Sequence, residues 1–204
     1  MSVKYPTTRT PLAQANAFPG TLNSNGSLFA SPDSSITNAY RAAVLGFTPV
    51  ATPTDIALIQ GSASFTTRIR KIIVQGVATA AGNIPIVLIR RSTPYTTSGS
   101  AVLTAIATIG PMDSEDPAAT AVVETVSTAN FTSVGTAVAT LATGRAQLAA
   151  SGSGIGFTPL EFNFNNNSIV LRGTSDYLAL NCNGAAVPAG GVLDITVEWE
   201  EDNS

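Results

Sequence analysis

The chain contains no histidine and only one cysteine, Cys182. Histidine is the commonest general base and metal ligand in proteins, so its absence excludes every Ser-His and Cys-His dyad. A single cysteine can form neither an intrachain disulfide nor a cysteine metal cluster. We therefore expect no cofactor and no metal site, and we predict that the protein is not an enzyme. Catalysis by a carboxylate pair, as in a polysaccharide hydrolase, is the alternative.

Charge is also scarce. Charged residues make up 11% of the 204 residues and the net charge is −3, whereas charged residues are about 25% of an average soluble protein. This balance argues against a basic surface for nucleic acid. The sequence has no run of about 18 apolar residues, so no membrane span is predicted. The first residues lack the apolar core of a secretory signal. We expect a protein that is made in the cytoplasm of its producer and contacts neither nucleic acid nor membrane.

The first fifty residues are rich in Pro, Asn, Ser and Gly and show no sustained period of 2 or 3.6. This composition predicts an irregular N-terminal arm over residues 1–50. A short helix is predicted within it, capped by Ser34 or Ser35 and ended by Gly46. A solvated linker has little use for large apolar side chains, so we predict that those of the arm bind a partner protein: Tyr5, Leu12, Phe18, Leu22, Leu28 and Phe29.

Residues 51–204 have the pattern of a β domain. About eight or nine short runs, many of them rich in β-branched residues, are separated by Gly, Asn, Asp, Ser or Pro, and no internal repeat of fixed period is visible. Short strands at this spacing predict an all-β fold, an antiparallel β-sandwich or a closed barrel. The last run alternates with period 2, as a half-buried strand does. The residues predicted to face the core from this strand are Leu193, Ile195, Val197 and Trp199.

Two further features have a functional and a structural interpretation. Asp113, Glu115 and Asp116 cluster in "MDSEDP", and carboxylate oxygens are ligands for calcium. Their spacing is not that of an EF-hand, so we predict a solvated turn. Cys182 has no histidine or basic neighbour in sequence that would lower its pKa, so we predict a buried residue at a strand end.

The stretch "TTRIRKIIVQG" (residues 66–76) holds three of the ten basic residues. If it is a strand, Arg68 and Arg70 share a face with Ile72 and Val74. We predict that it forms a hairpin with "IPIVLIRRS", with Gly82 and Asn83 as the turn. That hairpin would gather five basic residues at one end: Arg68, Arg70, Lys71, Arg90 and Arg91.

Like charges that face each other across strands cost roughly 0.2–1 kcal/mol per pair unless they are compensated. The acidic end of the last strand, "EWEED" (residues 198–202), is the natural source of compensation. Three interpretations stay open: ion pairs within the fold or between subunits, docking on an acidic protein surface, and nucleic-acid binding. The last is the least favoured, because no aromatic residues interleave with the charges. Arg68, Arg70, Arg90 and Arg91 are therefore candidate partner-binding residues.

Several segments resemble strands of small structural proteins of tailed bacteriophages: "IRKIIVQGVATAAGNIPIVLIRRS", "DSEDPAATAVV", "SIVLRGTSDYLALNCNG" and "PAGGVLDITVEWEE". The likeness is to capsid decoration (cement) and head-fibre proteins and covers about residues 55–202. It implies a jelly-roll body, a homotrimer at local threefold or quasi-threefold points, and a terminal arm on the major capsid protein. It also implies a location on the capsid surface of the virion. A tail or fibre module that binds a host-surface sugar or protein is the alternative.

Overall fold

The computed structural model describes residues 37–93, 95, 101–106, 109–153 and 158–202. The described residues contain twelve strands and no helix, and hence no helix long and apolar enough to cross a membrane. The apolar residues predicted to bind a partner from the arm, Tyr5 to Phe29, lie outside the described residues. The strands are β1 (Thr37–Phe47), β2 (Asp55–Gln60), β3 (Thr66–Ala78), β4 (Gly82–Arg91), β5 (Val102–Ala105), β6 (Ile109–Pro111), β7 (Val122–Ser127), β8 (Ala137–Ala150), β9 (Leu160–Asn163), β10 (Ile169–Arg172), β11 (Tyr177–Asn181) and β12 (Val192–Asp202).

The strands form one curled, mixed sheet, a half-barrel, which confirms the predicted all-β fold. Its order is β5-β7-β2-β11-β4-β8-β3-β12-β1-β6, and β9 and β10 pair with β3 beside this path. Neighbours are antiparallel except for a short parallel pair between the ends of β3 and β8. Buried residues from both halves of the sheet, such as Ile59 of β2 and Ile195 of β12, belong to one core cluster. The sheet therefore curls around its own core, as the two layers of a sandwich would enclose theirs.

The helix predicted to end at Gly46 is wrong, because residues 37–47 form β1. Tyr40 and Ala42 are buried, whereas Arg41 and Ala43 are exposed, so the strand alternates with period 2 beside β12. Alanine and leucine favour a helix in isolation. Pairing with β12 and burial of Tyr40 override that local preference. The sheet thus already contains residues 37–47, which the sequence assigned to the irregular arm.

The predicted hairpin between β3 and β4 is also wrong, because the end of β8 lies between them. β4 pairs with β8 along its whole length, and β3 pairs with β12. Gly82 and Asn83 are not the turn but the first residues of β4. Periodicity identifies a strand by its buried face, but it carries no information about which strand completes its hydrogen bonds.

The alternation predicted for β12 is confirmed, since Leu193, Ile195, Val197 and Trp199 are all buried. In β3 the predicted shared face is wrong. Lys71 pairs with Glu198 and Ile69 pairs with Trp199, so Arg70 is an extra residue in a β-bulge. The bulge shifts the alternation by one residue. Ile72 is consequently buried, while Arg68 and Arg70 are only partly buried.

Candidate functional site

The basic start of β3 forms ion pairs with the acidic end of β12. Arg68 Nε lies 2.6 Å from Asp202 Oδ2, and Arg70 Nη2 lies 2.5 Å from Glu200 Oε2. In the register of the two strands, Arg68 stands opposite Glu200, so its bond to Asp202 is diagonal. The structure thus shows ion pairs within the fold, which is one of the three interpretations left open by the sequence. A role of Arg68 and Arg70 in partner binding stays a prediction.

Two more ion pairs extend this arrangement. Arg41 of β1 is paired with Glu198 of β12, and Lys71 Nζ of β3 lies 3.0 Å from Glu161 Oε1 of β9. We call the eight side chains the paired-charge face: Arg41, Arg68, Arg70, Lys71, Glu161, Glu198, Glu200 and Asp202. They are 17–49% exposed, so each pair contributes no more than about 1 kcal/mol to stability. The face carries many charges but compensates them itself.

The other two candidate arginines separate at the end of β4. Arg90 Nη2 lies 2.8 Å from Asp176 Oδ2. Arg91 is only 4% exposed, and its Nη2 lies 3.0 and 3.2 Å from the two carboxylate oxygens of Asp55. Asn181 Nδ2 donates a third hydrogen bond to Asp55, at 2.5 Å. The four arginines therefore do not form one patch, and the structure places Arg91 in the core.

Burial raises the pKa of Asp55, although the hydrogen bond from Asn181 and the charge of Arg91 partly offset the effect. Cys182 follows Asn181 and is completely buried. Burial, together with the charge of Asp55, raises the pKa of the Cys182 thiol to about 12. The thiol is therefore protonated at neutral pH and is not a nucleophile. The prediction of a buried residue at a strand end is confirmed for Cys182.

The acidic cluster forms the predicted exposed turn, between β6 and β7. Glu115 N donates to Asp113 Oδ1 at 3.0 Å, and Asp116 N donates to Asp113 O at 3.1 Å. The Asp113 side chain thus satisfies the backbone of its own turn. Across the part of the chain that the structure describes, no group of three or more His, Cys, Asp or Glu side chains is placed to hold a metal ion.

Glu201 was expected to compensate the arginines, but it lies on the buried face of β12. Its carboxylate accepts hydrogen bonds from Thr120 N at 3.0 Å, Ala121 N at 2.8 Å and Trp199 Nε1 at 3.0 Å. Glu201 therefore fastens the segment before β7 to the end of β12. The strict alternation of β12 is the sequence signal for the burial of Glu201, because alternation assigns Glu201 to the same face as Trp199.

Three large apolar side chains are exposed at β-bulges, which the sequence did not reveal. Leu45 and Gly46 together lie opposite Asp194, and Leu45 is 86% exposed. In β8, Val138 and Leu141 are the extra residues opposite β4, and they are 57% and 40% exposed. A bulge redirects side chains at a defined position in a strand. Leu45, Val138 and Leu141, the bulge residues, are therefore held outward by the backbone.

Asp194 stabilises the bulge at Leu45. Gly46 has a φ of +71°, a left-handed conformation that glycine adopts without strain. Its backbone N–H donates to Asp194 Oδ1 at 2.8 Å. The exposure of Leu45 thus depends on a glycine and on a specific carboxylate from the neighbouring strand.

A groove of about 460 Å³ opens between β8 and the connection from β9 to β10. It exists because β8 pairs with β3 only at residues 148–150, while β9 and β10 occupy the edge of β3 beyond that point. Its lining includes Arg90, Leu141, Phe164, Asn167, Ser168 and Ile169. The split between β8 and β3 therefore creates a concave surface in which apolar and polar side chains meet.

Close contact between β8 and β9 depends on Gly144 of β8. A Cβ at this position would lie 2.6 Å from Leu160 Cδ1 and 3.3 Å from Phe162 Cζ. Leu160 and Phe162 therefore pack directly on the backbone of β8, while Leu141, three residues earlier in the strand, lines the groove.

Every described arginine and lysine has a partner within the chain. Six form the ion pairs given above, Arg145 Nη1 donates to Asn83 Oδ1 at 2.9 Å, and Arg172 Nη1 donates to Thr66 Oγ1 at 3.2 Å. Phosphate recognition needs several cations that are available to the ligand. The described surface instead combines compensated charge, exposed apolar residues at bulges and the amphipathic groove beside β8.

No protein-family model, no curated protein and no solved structure matches this chain. The likeness to phage structural proteins stays a prediction, and a function has to be inferred from the chemistry of the described residues.

Proposed function

We propose that the protein is a structural protein of a tailed-bacteriophage particle, which binds the outer capsid surface and joins neighbouring capsomers. The observation that carries this proposal is the exposure of Leu45, Val138 and Leu141 at β-bulges. The resemblance of the strand segments to capsid decoration proteins supports the same function.

A single exposed leucine is ordinary in a soluble protein. An exposed apolar residue at a bulge is less ordinary, because each bulge interrupts the hydrogen bonds of its strand and bends the strand locally. At Leu45 the interruption is stabilised by Gly46 and by the hydrogen bond to Asp194. Apolar side chains held outward in this way are suited to contact a protein surface.

The charges support the same kind of partner. The paired-charge face is compensated within the chain, so it attracts neither polyanions nor polycations strongly. This surface is better suited to a protein shell, which it would contact through apolar side chains and hydrogen bonds, than to a nucleic acid. A standard protein interface buries about 1,600 Å² in total, and many identical copies on one shell act together.

Residues 1–35 and a homotrimer complete the proposed arrangement. Six large apolar residues between Tyr5 and Phe29 supply contacts with the major capsid protein. In a trimer, three arms and three bodies bind the shell at once, so weak contacts of one copy are multiplied by the effective concentration of the others.

Binding to purified shells of the encoding phage tests the proposal. Leu45→Asp should lower the number of copies bound per shell, because the charge would have to be buried at the interface. Met112→Asp is the control, since Met112 is also an exposed large apolar residue, at 57%, but lies outside the strands rather than at a bulge. Deletion of residues 1–35 should lower occupancy further. Full occupancy of both the Leu45 variant and the deletion, or the absence of the protein from shells, would refute the proposal.

A further inference from the structure

We propose that the groove between β8 and the β9–β10 connection binds a neutral pyranose sugar. This site shares Leu141 with the bulge residues of the proposed capsid contact, but the residues that carry it, Phe164, Asn167, Ser168 and Arg90, are not bulge residues. The inference rests on the aromatic residue in the groove, on its unused hydrogen-bonding groups and on its internally compensated arginine.

Few aromatic side chains of the described residues are exposed enough to serve as a sugar platform, and one of them lines the groove. A pyranose ring presents an apolar C–H face, and an exposed aromatic side chain packs well against it. Most described aromatic residues are buried: Tyr40, Phe47, Phe131, Phe162, Tyr177 and Trp199. Tyr95 is partly exposed but packs between Phe131 and Tyr177, with ring centroids 4.9 and 5.6 Å away. Phe65 and Phe164 are both partly exposed, and of these two Phe164 lines the groove.

Two polar side chains of the groove have no hydrogen-bond partner among the described residues. Asn167 uses its backbone N–H to close the turn on Phe164 O, at 3.0 Å, which leaves its side-chain amide available. The Ser168 hydroxyl is available as well. An amide and a hydroxyl offer donors and acceptors together, as the hydroxyl groups of a sugar do. These groups lie beside the apolar side chains of Phe164 and Leu141.

Arg90 adds a donor whose orientation is fixed. Its Nη2 is bonded to Asp176 Oδ2, and Asp176 also accepts from Arg172 N at 3.0 Å. The Arg90 Nε is buried without an acceptor, so the donors offered to a ligand are the remaining N–H groups of the guanidinium, on a side chain that is 37% exposed. Because Asp176 compensates its charge, Arg90 favours a neutral hydroxyl over a carboxylate or phosphate. The site is therefore assigned to a neutral sugar rather than to an acidic one.

The size and the walls of the groove agree with a small ligand. Its volume of about 460 Å³ falls within the range of about 300–1,000 Å³ for small-molecule sites. An added peptide strand would need a regular edge on β8. The bulges at Val138 and Leu141 interrupt the regular spacing of β8, and bulges of this kind discourage strand addition.

Binding of the purified full chain to an array of defined saccharides tests the site. Oligosaccharides ending in glucose, galactose, mannose or N-acetylglucosamine are the neutral probes, and those ending in sialic or glucuronic acid are the acidic ones. We expect binding to at least one neutral probe. Absence of binding to all probes, or preference for an acidic probe, would overturn the assignment.

Three variants then locate the site. Phe164→Leu keeps an apolar wall without the ring, and Asn167→Ala removes the unused amide; each should lower the affinity at least tenfold. Asn166→Ala is the matched control, because Asn166 is exposed in the same turn but does not line the groove. Equal affinity of all three variants would refute the site, provided that near-ultraviolet circular dichroism confirms their folding. Shell occupancy of the same variants should be unchanged, which separates failure of this site from failure of the capsid function.

Discussion

Replacing Arg91 with methionine should destabilise the protein strongly, although only one ion pair is lost. Asp55 is 1% exposed and would keep its hydrogen bond from Asn181 but lose the cation that compensates it. Breaking a buried ion pair from one side costs about 3–5 kcal/mol, because the remaining charge stays buried. Methionine preserves much of the apolar stem, so loss of packing contributes little to the effect.

The magnitude can be expressed as a melting temperature. For a domain of this size, about 1 kcal/mol corresponds to roughly 2–4 °C, so Arg91→Met should lower Tm by roughly 6–20 °C. Arg41→Met is the control, because the side chains of the Arg41–Glu198 pair are 49% and 26% exposed and its loss should cost about 0–1 kcal/mol. The double variant Asp55→Leu with Arg91→Met should recover part of the loss, since it leaves no charge buried.

Thermal and denaturant unfolding at pH 7, followed by circular dichroism, measure these differences. Equal stability losses for Arg91→Met and Arg41→Met would refute the reasoning, because they would show that the burial of Asp55 has no energetic consequence.

The pH dependence gives an independent test. Burial raises the pKa of Asp55 above its ordinary value of 3.8, so the folded protein binds this proton more tightly than the unfolded chain does. The resulting stabilisation is fully present below pH 3.8 and is lost as the pH rises through the folded pKa. Loss of Arg91 removes an interaction that lowers this pKa. The stability difference between wild type and Arg91→Met should therefore narrow as the pH falls; a constant difference would contradict the assignment to Asp55.

Three further outcomes are expected. Arg70→Glu should lower the unfolding free energy by about 1 kcal/mol, because it sets two carboxylates side by side. Adding Glu200→Arg to the same chain should restore part of this loss. Unchanged stability of Arg70→Glu would show that Arg70 does not stabilise the fold and would favour partner binding instead. Glu201→Ala should leave buried donors, including Trp199 Nε1, without an acceptor, at about 1–3 kcal/mol each, and an unaltered Tm and tryptophan emission would contradict this. The Cys182 thiol, with its pKa raised to about 12, should resist thiol reagents at pH 8 until the protein is unfolded; rapid labelling of the native protein would show that it is accessible.

The sequence predicts the position of a strand where one face of that strand is buried and the other is not. In β12 the apolar residues fall at every second position, so the core face, Trp199 included, followed from the sequence. The same rule failed in β3, where the bulge at Arg70 shifts the alternation by one residue. It failed in β1 because alanine and leucine are compatible with both a helix and a strand, and only the neighbouring β12 decides between them.

The sequence predicts less of the candidate sites than of the fold. The acidic end of β12 was identified as the source of compensation for Arg68 and Arg70, because opposite charges are required where like charges would otherwise face each other. Arg90 and Arg91 could not be assigned in this way. Their partners, Asp176 and Asp55, are distant in the chain and come near only through the pairing of β11 with β4 and β2.

By itself the sequence determined the all-β class, the position of most strands and the absence of histidine chemistry, because these depend on composition and on local periodicity. Tertiary structure alone decided the strand order, the bulges that expose Leu45, Val138 and Leu141, the burial of Glu201 and the groove beside Phe164. Each of these depends on which distant strand completes a hydrogen-bonded edge, and a pattern of period 2 is the same whichever strand that is.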